Sequence, residues 1–318
     1  MSRMFLAKTL AGVLLATAGT FQFAHAQTVA VTQFVEHPEL DKVRQGALDA
    51  LKDAGYTSAK VVFESAQADI ATASQIASRF NSLNPAVIIA IATPSAQMVI
   101  NTGTSVPVVF GAVSDPVAAG LVKNLEHPGA NVTGTSARPD VGPQLDQIAA
   151  LTPRVKRIGV LFNPAEVNSK VLVEDFAKQG AARGFEVRTE AVASSADVLS
   201  ATANLVDRVD AIYVPTDSTV VSGLEAAVAL AIEKKLPLYT ADTNGINRGA
   251  LAAIGYDYYQ VGRDTGTIAA RILAGEKPGD IAVVPATRST QLFNAATARA
   301  IGITIPQTLL DQASAVVK

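Results

Sequence analysis

Along the chain, short runs of β-branched and apolar residues alternate with longer stretches whose apolar positions recur every three or four residues. The short runs predict strands at 29–35, 60–64, 87–91, 106–110 and 131–135, and again at 157–162, 186–190, 211–214, 236–240 and 250–255. The longer stretches predict helices at 38–54, 69–81, 94–101, 143–150, 169–183, 196–206 and 219–234. Such alternation marks parallel sheets with helices on both faces. Strand starts at 29, 60, 87 and 106 recur at 157, 186, 211 and 236, so two similar lobes are the economical reading.

Residues 136–143, which hold Ser, Arg, Pro, Asp and Gly, suit a crossover between lobes. A helix at 258–274 and a strand at 281–284 then mark where the chain recrosses. The expected fold class is α/β, with two doubly wound parallel-sheet lobes joined by a multi-crossover hinge. Residues 27–137 with about 256–285 form the N-terminal lobe, and 138–255 with about 286–318 the C-terminal lobe.

The first 26 residues change the picture of where the protein works. Arg3 and Lys8 precede an apolar run through Leu10, Val13, Leu14 and Leu15, and the stretch ends in Ala24-His25-Ala26. That three-part pattern predicts a secretory signal cleaved after Ala26, with Gln27 as the new terminus. Cleavage lowers Lys+Arg from 26 to 24 against 28 Asp+Glu, and a mildly acidic chain argues against a nucleic-acid partner. Cysteine is absent, which excludes disulfides, a thiolate nucleophile and a lipid-modified cysteine anchor. An untethered exported protein needs an enclosed compartment, so the expected location is the periplasm. Only His37 and His127 remain as imidazoles after cleavage, too few to support a metal centre. No metal or cofactor is expected.

In open α/β sheets ligands gather at the carboxyl ends of the strands, where helix N-termini offer unpaired N–H groups. The loops at those ends are Gln33-Phe34-Val35-Glu36-His37-Pro38, Ala92-Thr93-Pro94-Ser95 and Ser114-Asp115-Pro116 in the first series. Asn163-Pro164-Ala165-Glu166-Val167-Asn168-Ser169, Val214-Pro215-Thr216-Asp217-Ser218 and Ala241-Asp242-Thr243 belong to the second. Any one of these is an ordinary helix cap; six at matching positions point to a shared site. Thr93 before Pro94 is expected to cap a helix and leave the N–H groups of Ser95 and Ala96 for a carboxylate. Glu36, Asp115, Glu166, Asp217 and Asp242 are acidic and the loops hold no Lys or Arg, which disfavours a phosphate ligand. Asp217 and Asp242 would then meet an ammonium, and the ligand would be a zwitterion such as an amino acid.

No catalytic residues are assigned. Neither His37 nor His127 lies near a glycine-flanked serine, and no phosphate loop or Gly-x-Gly-x-x-Gly follows the first strand. His37 reads as a surface or cap residue, and Tyr258-Tyr259 as packing at a helix start. A binding module, an enzyme without an obvious nucleophile and a sensory input for a membrane receptor all remain open readings, the first being favoured.

Several blocks carry a family resemblance. Gln33-Phe34-Val35-Glu36-His37-Pro38, Ala90-Ile91-Ala92-Thr93-Pro94-Ser95-Ala96-Gln97 and Val113-Ser114-Asp115-Pro116-Val117 occur in order, followed by Gly129-Ala130-Asn131-Val132-Thr133-Gly134-Thr135-Ser136. Glu166-Val167-Asn168-Ser169, Asp210-Ala211-Ile212-Tyr213-Val214-Pro215-Thr216-Asp217 and Gly255-Tyr256-Asp257-Tyr258-Tyr259 continue the series. Together they resemble the ABC-transporter substrate-binding proteins of the tryptophan-binding type, built on the type I periplasmic binding protein fold. The resemblance implies a monomer with a three-strand hinge, which delivers a small ligand, an aromatic amino acid foremost, to an ABC permease and its ATPase. Carried over by position, the binding residues are Gln33, Phe34, Thr93, Pro94, Ser95, Ser114 and Asp115 from one lobe. Glu166, Asn168, Ser169, Thr216, Asp217 and Asp242 come from the other, and Glu36, Asn163 and Tyr256 complete the set. Phe34 offers a face for stacking on an aromatic ligand.

Overall fold

The structure, a computed structural model, describes residues 27–318, so the export signal expected at 1–26 lies outside the described residues. The first lobe begins with β1 (Thr28–Gln33), α1 (Pro38–Asp53), β2 (Lys60–Ser65), α2 (Ile70–Leu83), β3 (Val87–Ile91), α3 (Thr93–Asn101), β4 (Val108–Val113) and β5 (Val132–Ser136). The chain then crosses to the second lobe. There α4 (Val141–Leu151), β6 (Arg157–Phe162), α5 (Val167–Ala182), β7 (Glu186–Ala191), α6 (Val198–Val206) and β8 (Ala211–Val214) lead into α7 (Ser218–Ser222), α8 (Leu224–Glu233), β9 (Leu238–Thr240) and β10 (Ala252–Tyr256). It returns for α9 (Tyr258–Leu273) and β11 (Val284–Pro285), and crosses a third time to β12 (Ser289–Asn294), α10 (Ala295–Ile301), α11 (Gln307–Gln312) and β13 (Ala315–Val317).

The two sheets repeat one topology. One runs β11-β5-β4-β3-β1-β2 and the other β13-β12-β10-β9-β8-β6-β7, so β2-β1-β3-β4-β5 is matched by β7-β6-β8-β9-β10. Right-handed crossovers then place α1 opposite α2 and α3, the doubly wound arrangement. All five residues of β3 are fully buried, the continuous apolar run of a strand covered on both faces. Edge strands β2 and β7 are half-exposed and carry charge.

Several expected elements move. β4 starts at Val108, after Pro107, which has no N–H to give the ladder. The helix expected over 219–234 is broken at Gly223, where a Cβ would stand 2.6 Å from the carbonyl oxygen of Ser195. Of the strand expected at 281–284, only Val284 pairs with β5, joined by Pro285 just beyond the range. The parallel arrangement fails at β12, which lies antiparallel to β10 because the third crossing enters the sheet from the opposite end.

Helices α1 and α9 approach backbone to backbone. A Cβ on Gly262 would lie 2.2 Å from the Val43 carbonyl oxygen, one on Gly266 2.2 Å from that of Ala47, and one on Gly46 2.3 Å from that of Tyr259. Only glycine permits this contact, and it locks the returning helix onto the first lobe. Asp257 caps α9 through Gln260 N at 3.1 Å, a contact worth about 1 kcal/mol. Gly262→Ala must push the helices apart, at about 1–3 kcal/mol for overpacking. Calorimetry should show a melting temperature lower by several degrees, at roughly 2–4 °C per kcal/mol; an unchanged value would mean that the helices have slack.

Candidate functional site

Both strand orders reverse beside their second strand, between β1 and β3 in one lobe and between β6 and β8 in the other. The carboxyl ends of those strands face each other across a cavity of about 40 Å³. Its first-lobe wall is His37, Glu39, Leu40, Ala92, Thr93, Ala112, Ser114 and Tyr258. The second lobe supplies Asn168, Thr216, Asp217, Ser218, Val221 and Asp242. The lobes touch, with Ser114 Oγ 3.3 Å from Thr216 Oγ1 and His37 Nδ1 4.0 Å from Asp242 Oδ2. Space of this size holds a water or two, so a larger guest enters only when the lobes part.

Two alanines shape the first-lobe wall. Ala92 has φ 74° and ψ 156°, and Ala112 has φ 57°, conformations that cost a side-chain-bearing residue about 1–3 kcal/mol each. Ala112 sits where the register between β4 and β5 shifts, a bulge that re-aims the chain toward Ser114. Its N–H donates to Thr135 Oγ1 (3.2 Å), which in turn meets Thr265 Oγ1 (2.8 Å) on α9. At Ala92 the turn starts α3 one residue earlier than expected, with Thr93 as its first residue rather than its cap. Ala96 N–H closes onto the Ala92 carbonyl at 3.1 Å and is therefore spent. The first-turn N–H groups of Thr93 and Ser95 have no intrahelical partner, and Ser95 Oγ is buried without a hydrogen bond.

The second-lobe wall rests on two buried carboxylates. Asp217 accepts from Val220 N at 2.8 Å through Oδ1, and from Asn163 N (2.5 Å) and Ser169 Oγ (2.6 Å) through Oδ2. Glu166 accepts from Ser218 N (3.1 Å), Thr219 N (2.9 Å) and Thr219 Oγ1 (2.8 Å). Burial raises both carboxyls, and the charge of Asp217 pushes Glu166 further, to about 8, so the pair holds a proton near neutral pH. Asp217 therefore has its oxygens occupied and is not free to take an ammonium, as the sequence had suggested. Asp242 differs: Oδ1 accepts from Asn244 N (2.8 Å) and Gly245 N (3.2 Å), while Oδ2 faces His37.

Of the residues expected from sequence, Thr93, Ser114, Asn168, Thr216, Asp217 and Asp242 line the cavity. Ser95 and Pro94 lie buried in the first turn of α3 outside the cavity lining, while Asn163 and Glu166 bond Thr219 and Ser169 bonds Asp217. Gln33 is buried, with Nε2 on Val35 O (2.8 Å) and Asp41 Oδ1 (3.0 Å). Phe34 is packed in the first-lobe core and does not line the cavity. Glu36 is exposed and held by Gln67 Nε2 at 3.1 Å. Asp115 pairs with Arg138, and its Pro116 begins a turn rather than a helix. Tyr256 bonds the Arg138 carbonyl oxygen at 2.8 Å, beside the hinge. Conversely, His37, Glu39, Leu40, Ala92, Ala112, Ser218, Val221 and Tyr258 face the cavity without having been assigned to it. For Glu39 the only signal was an acid in a helix's first turn, which reads equally as a dipole partner.

The shared proton gives a measurable stability signature. Glu166 titrates normally once unfolded but at about 8 when folded, so its contribution is full below about pH 4.5 and is lost as pH rises toward 8. Glu166→Gln keeps an acceptor for Thr219 N–H and has no proton to lose. The wild-type melting temperature should fall more steeply than the variant's across that window; equal slopes would exclude the proton.

A match to the family described as ABC transporter substrate binding protein spans residues 28–317. A curated relative, the tyrosine-binding protein of Clostridioides difficile (strain R20291), is 38% identical over 278 residues, 86% of this chain and 81% of its own. Among solved structures, the ABC domain from Streptococcus pneumoniae in complex with L-Trp is 34% identical with a TM-score of 0.89, over 92% of this chain and 100% of that one. The ligand-free, open structure of a substrate-binding protein with adhesive properties from Clostridium difficile is 38% identical, over 92% and 99% of the two chains. Its TM-score is 0.68, against 0.89 for the complex with L-Trp. More distant sugar and polyol binders share the type I periplasmic binding protein fold alone. The chain belongs to the ABC transporter substrate-binding protein family.

Proposed function

We propose that this chain is the periplasmic solute-binding component of an ABC importer and that its cargo is an amino acid with an aromatic side chain. The observation that carries this reading is the inventory of unspent polar atoms at the lobe junction. Ser95 Oγ and the first-turn N–H groups of α3 are donors in want of an acceptor, which suits a carboxylate at a helix N-terminus. Glu39 Oε2 and Asn168 Oδ1 are acceptors without donors, which suits an ammonium. A zwitterion answers both sets at once. Leu40, Ala92, Ala112, Val221 and the ring of Tyr258 supply the apolar wall for its side chain.

The aromatic preference rests on the relatives, one named for tyrosine binding and one solved with L-Trp. The signal-like first 26 residues and the absence of cysteine favour export without a lipid tether; among the described residues no helix is long and apolar enough to cross a membrane. Delivery would then be to a permease and its ATPase, with opening and closing of the lobes in place of turnover.

A thermal-shift and calorimetric screen of the secreted chain against amino acids, sugars and nucleosides tests the reading. L-tyrosine, L-tryptophan or L-phenylalanine should stabilise it by about 2.7 kcal/mol at a hundredfold excess over Kd. Ser95→Ala should weaken that binding about tenfold or more, the loss of a hydrogen bond to a charged group. A chain silent to every amino acid would overturn the proposal.

A further inference from the structure

Two buried carboxylates line the same cavity from opposite lobes. Glu39 stands in the first turn of α1, in the first lobe, and Asp242 leads the turn after β9, in the second. Glu39 is 1% exposed and Asp242 4%. Glu39 Oε1 takes Lys42 Nζ at 3.0 Å, but Oε2 is buried without a partner. Asp242 Oδ2 faces only His37 Nδ1, itself unpartnered at 4.0 Å, and Asn168 Oδ1 is a further acceptor with no donor.

The surrounding charges leave this cluster short of one positive charge. Arg248, the cation beside Asp242 and His37, spends Nε and Nη2 on Glu225 at 2.6 and 2.5 Å. Lys42 is half-exposed and serves Glu39. Asp41 is held by Arg44 at 3.2 Å and by Gln33. From the remaining sides come the Tyr258 hydroxyl and Asp217, the latter already ringed by donors. His37 is neutral, its pKa lowered to about 4 by burial and then by Arg248, against a smaller opposing effect of Asp41.

We propose that closing the lobes captures one positive charge between Glu39 and Asp242: the ligand's cationic group when it has one, and a proton when it does not. The identity of that cationic group as an α-ammonium rests on the amino-acid reading above. An ammonium has three N–H donors, and Glu39 Oε2, Asp242 Oδ2 and Asn168 Oδ1 are three acceptors drawn from both lobes, so the same group that is recognised also ties the lobes together. In its absence both carboxyls are raised, Glu39 by burial and then by Asp242, and Asp242 by burial. Parting the lobes hydrates the two groups and returns them to ordinary values, so closure without a ligand cation takes up a proton.

Two measurements test this. Calorimetry in buffers of different ionisation enthalpy should show L-tyrosine binding near neutral pH without proton uptake. The des-amino analogue 3-(4-hydroxyphenyl)propionate should bind with uptake of about one proton and tighten about tenfold per pH unit of acidification. Glu39→Gln should remove that pH dependence and weaken L-tyrosine, with Asp242→Asn, which retains a capping oxygen, doing the same. Independently of any ligand, small-angle scattering of the free chain should show a more compact particle as pH is lowered in the wild type, but not in Glu39→Gln. If L-tyrosine binds while the analogue and the free chain are indifferent to pH, the proposal falls and the amino-acid reading stands. If no amino acid binds yet compaction follows pH through Glu39, the reading falls and the charge capture stands.

Discussion

Burying a carboxylate costs several kcal/mol unless donors or a cation surround it, and the junction of the two lobes meets that constraint in two ways. Asp217 meets it within its own lobe. Its ring of donors, Asn163 N, Ser169 Oγ and Val220 N, draws together the loops after β6 and β8, and Glu166 fastens the start of α7 beside it. The rim of the second lobe is thus rigid before anything binds. Glu39 and Asp242 meet it only in part within their own lobes, through Lys42 and through the Asn244 and Gly245 N–H groups, and Glu39 Oε2 and Asp242 Oδ2 are left to what lies between the lobes. One wall is preassembled and the other condition is left for the guest to fulfil.

The first lobe reaches the same rim by packing. Gly46, Gly262 and Gly266 let α1 and α9 touch through their backbones, and the two helices carry Glu39 and Tyr258 on their first turns. Strained Ala92 and Ala112 then turn the ends of β3 and β4 so that Thr93 and Ser114 face inward. The cost of that strain is borne by fully buried strands, whose Val and Ile side chains contribute about 1.5–3 kcal/mol apiece.

Much of this was legible in the sequence because it is local. Strand periodicity, the recurrence of strand starts and the polar loops after β1, β3, β6 and β8 located the two sheets and which edge of each matters. What escaped was direction. Phe34 and Glu36 belong to the right loop, yet one turns into the core and the other into solvent, because a chain leaving a strand no longer keeps the strict alternation of its side chains. Alanine gave no sign at 92 and 112, since the feature there is a backbone angle rather than a side chain. Asp217 looked like a ligand carboxylate because capping and binding use the same residue type at the same place. The segment after β11 has weak, partly polar alternation, and only its antiparallel seat beside β10 gives it a strand's role.

The three crossings also set an order of assembly. Since α9 and β11 complete the first sheet's layer, the N-terminal lobe cannot finish until the ribosome has made nearly all of the chain, including every strand of the other lobe except β12 and β13. Until then the glycine face of α1 has no helix to meet. A nascent chain of this topology stays incompletely folded for most of its synthesis, with its first sheet waiting on residues more than two hundred positions away.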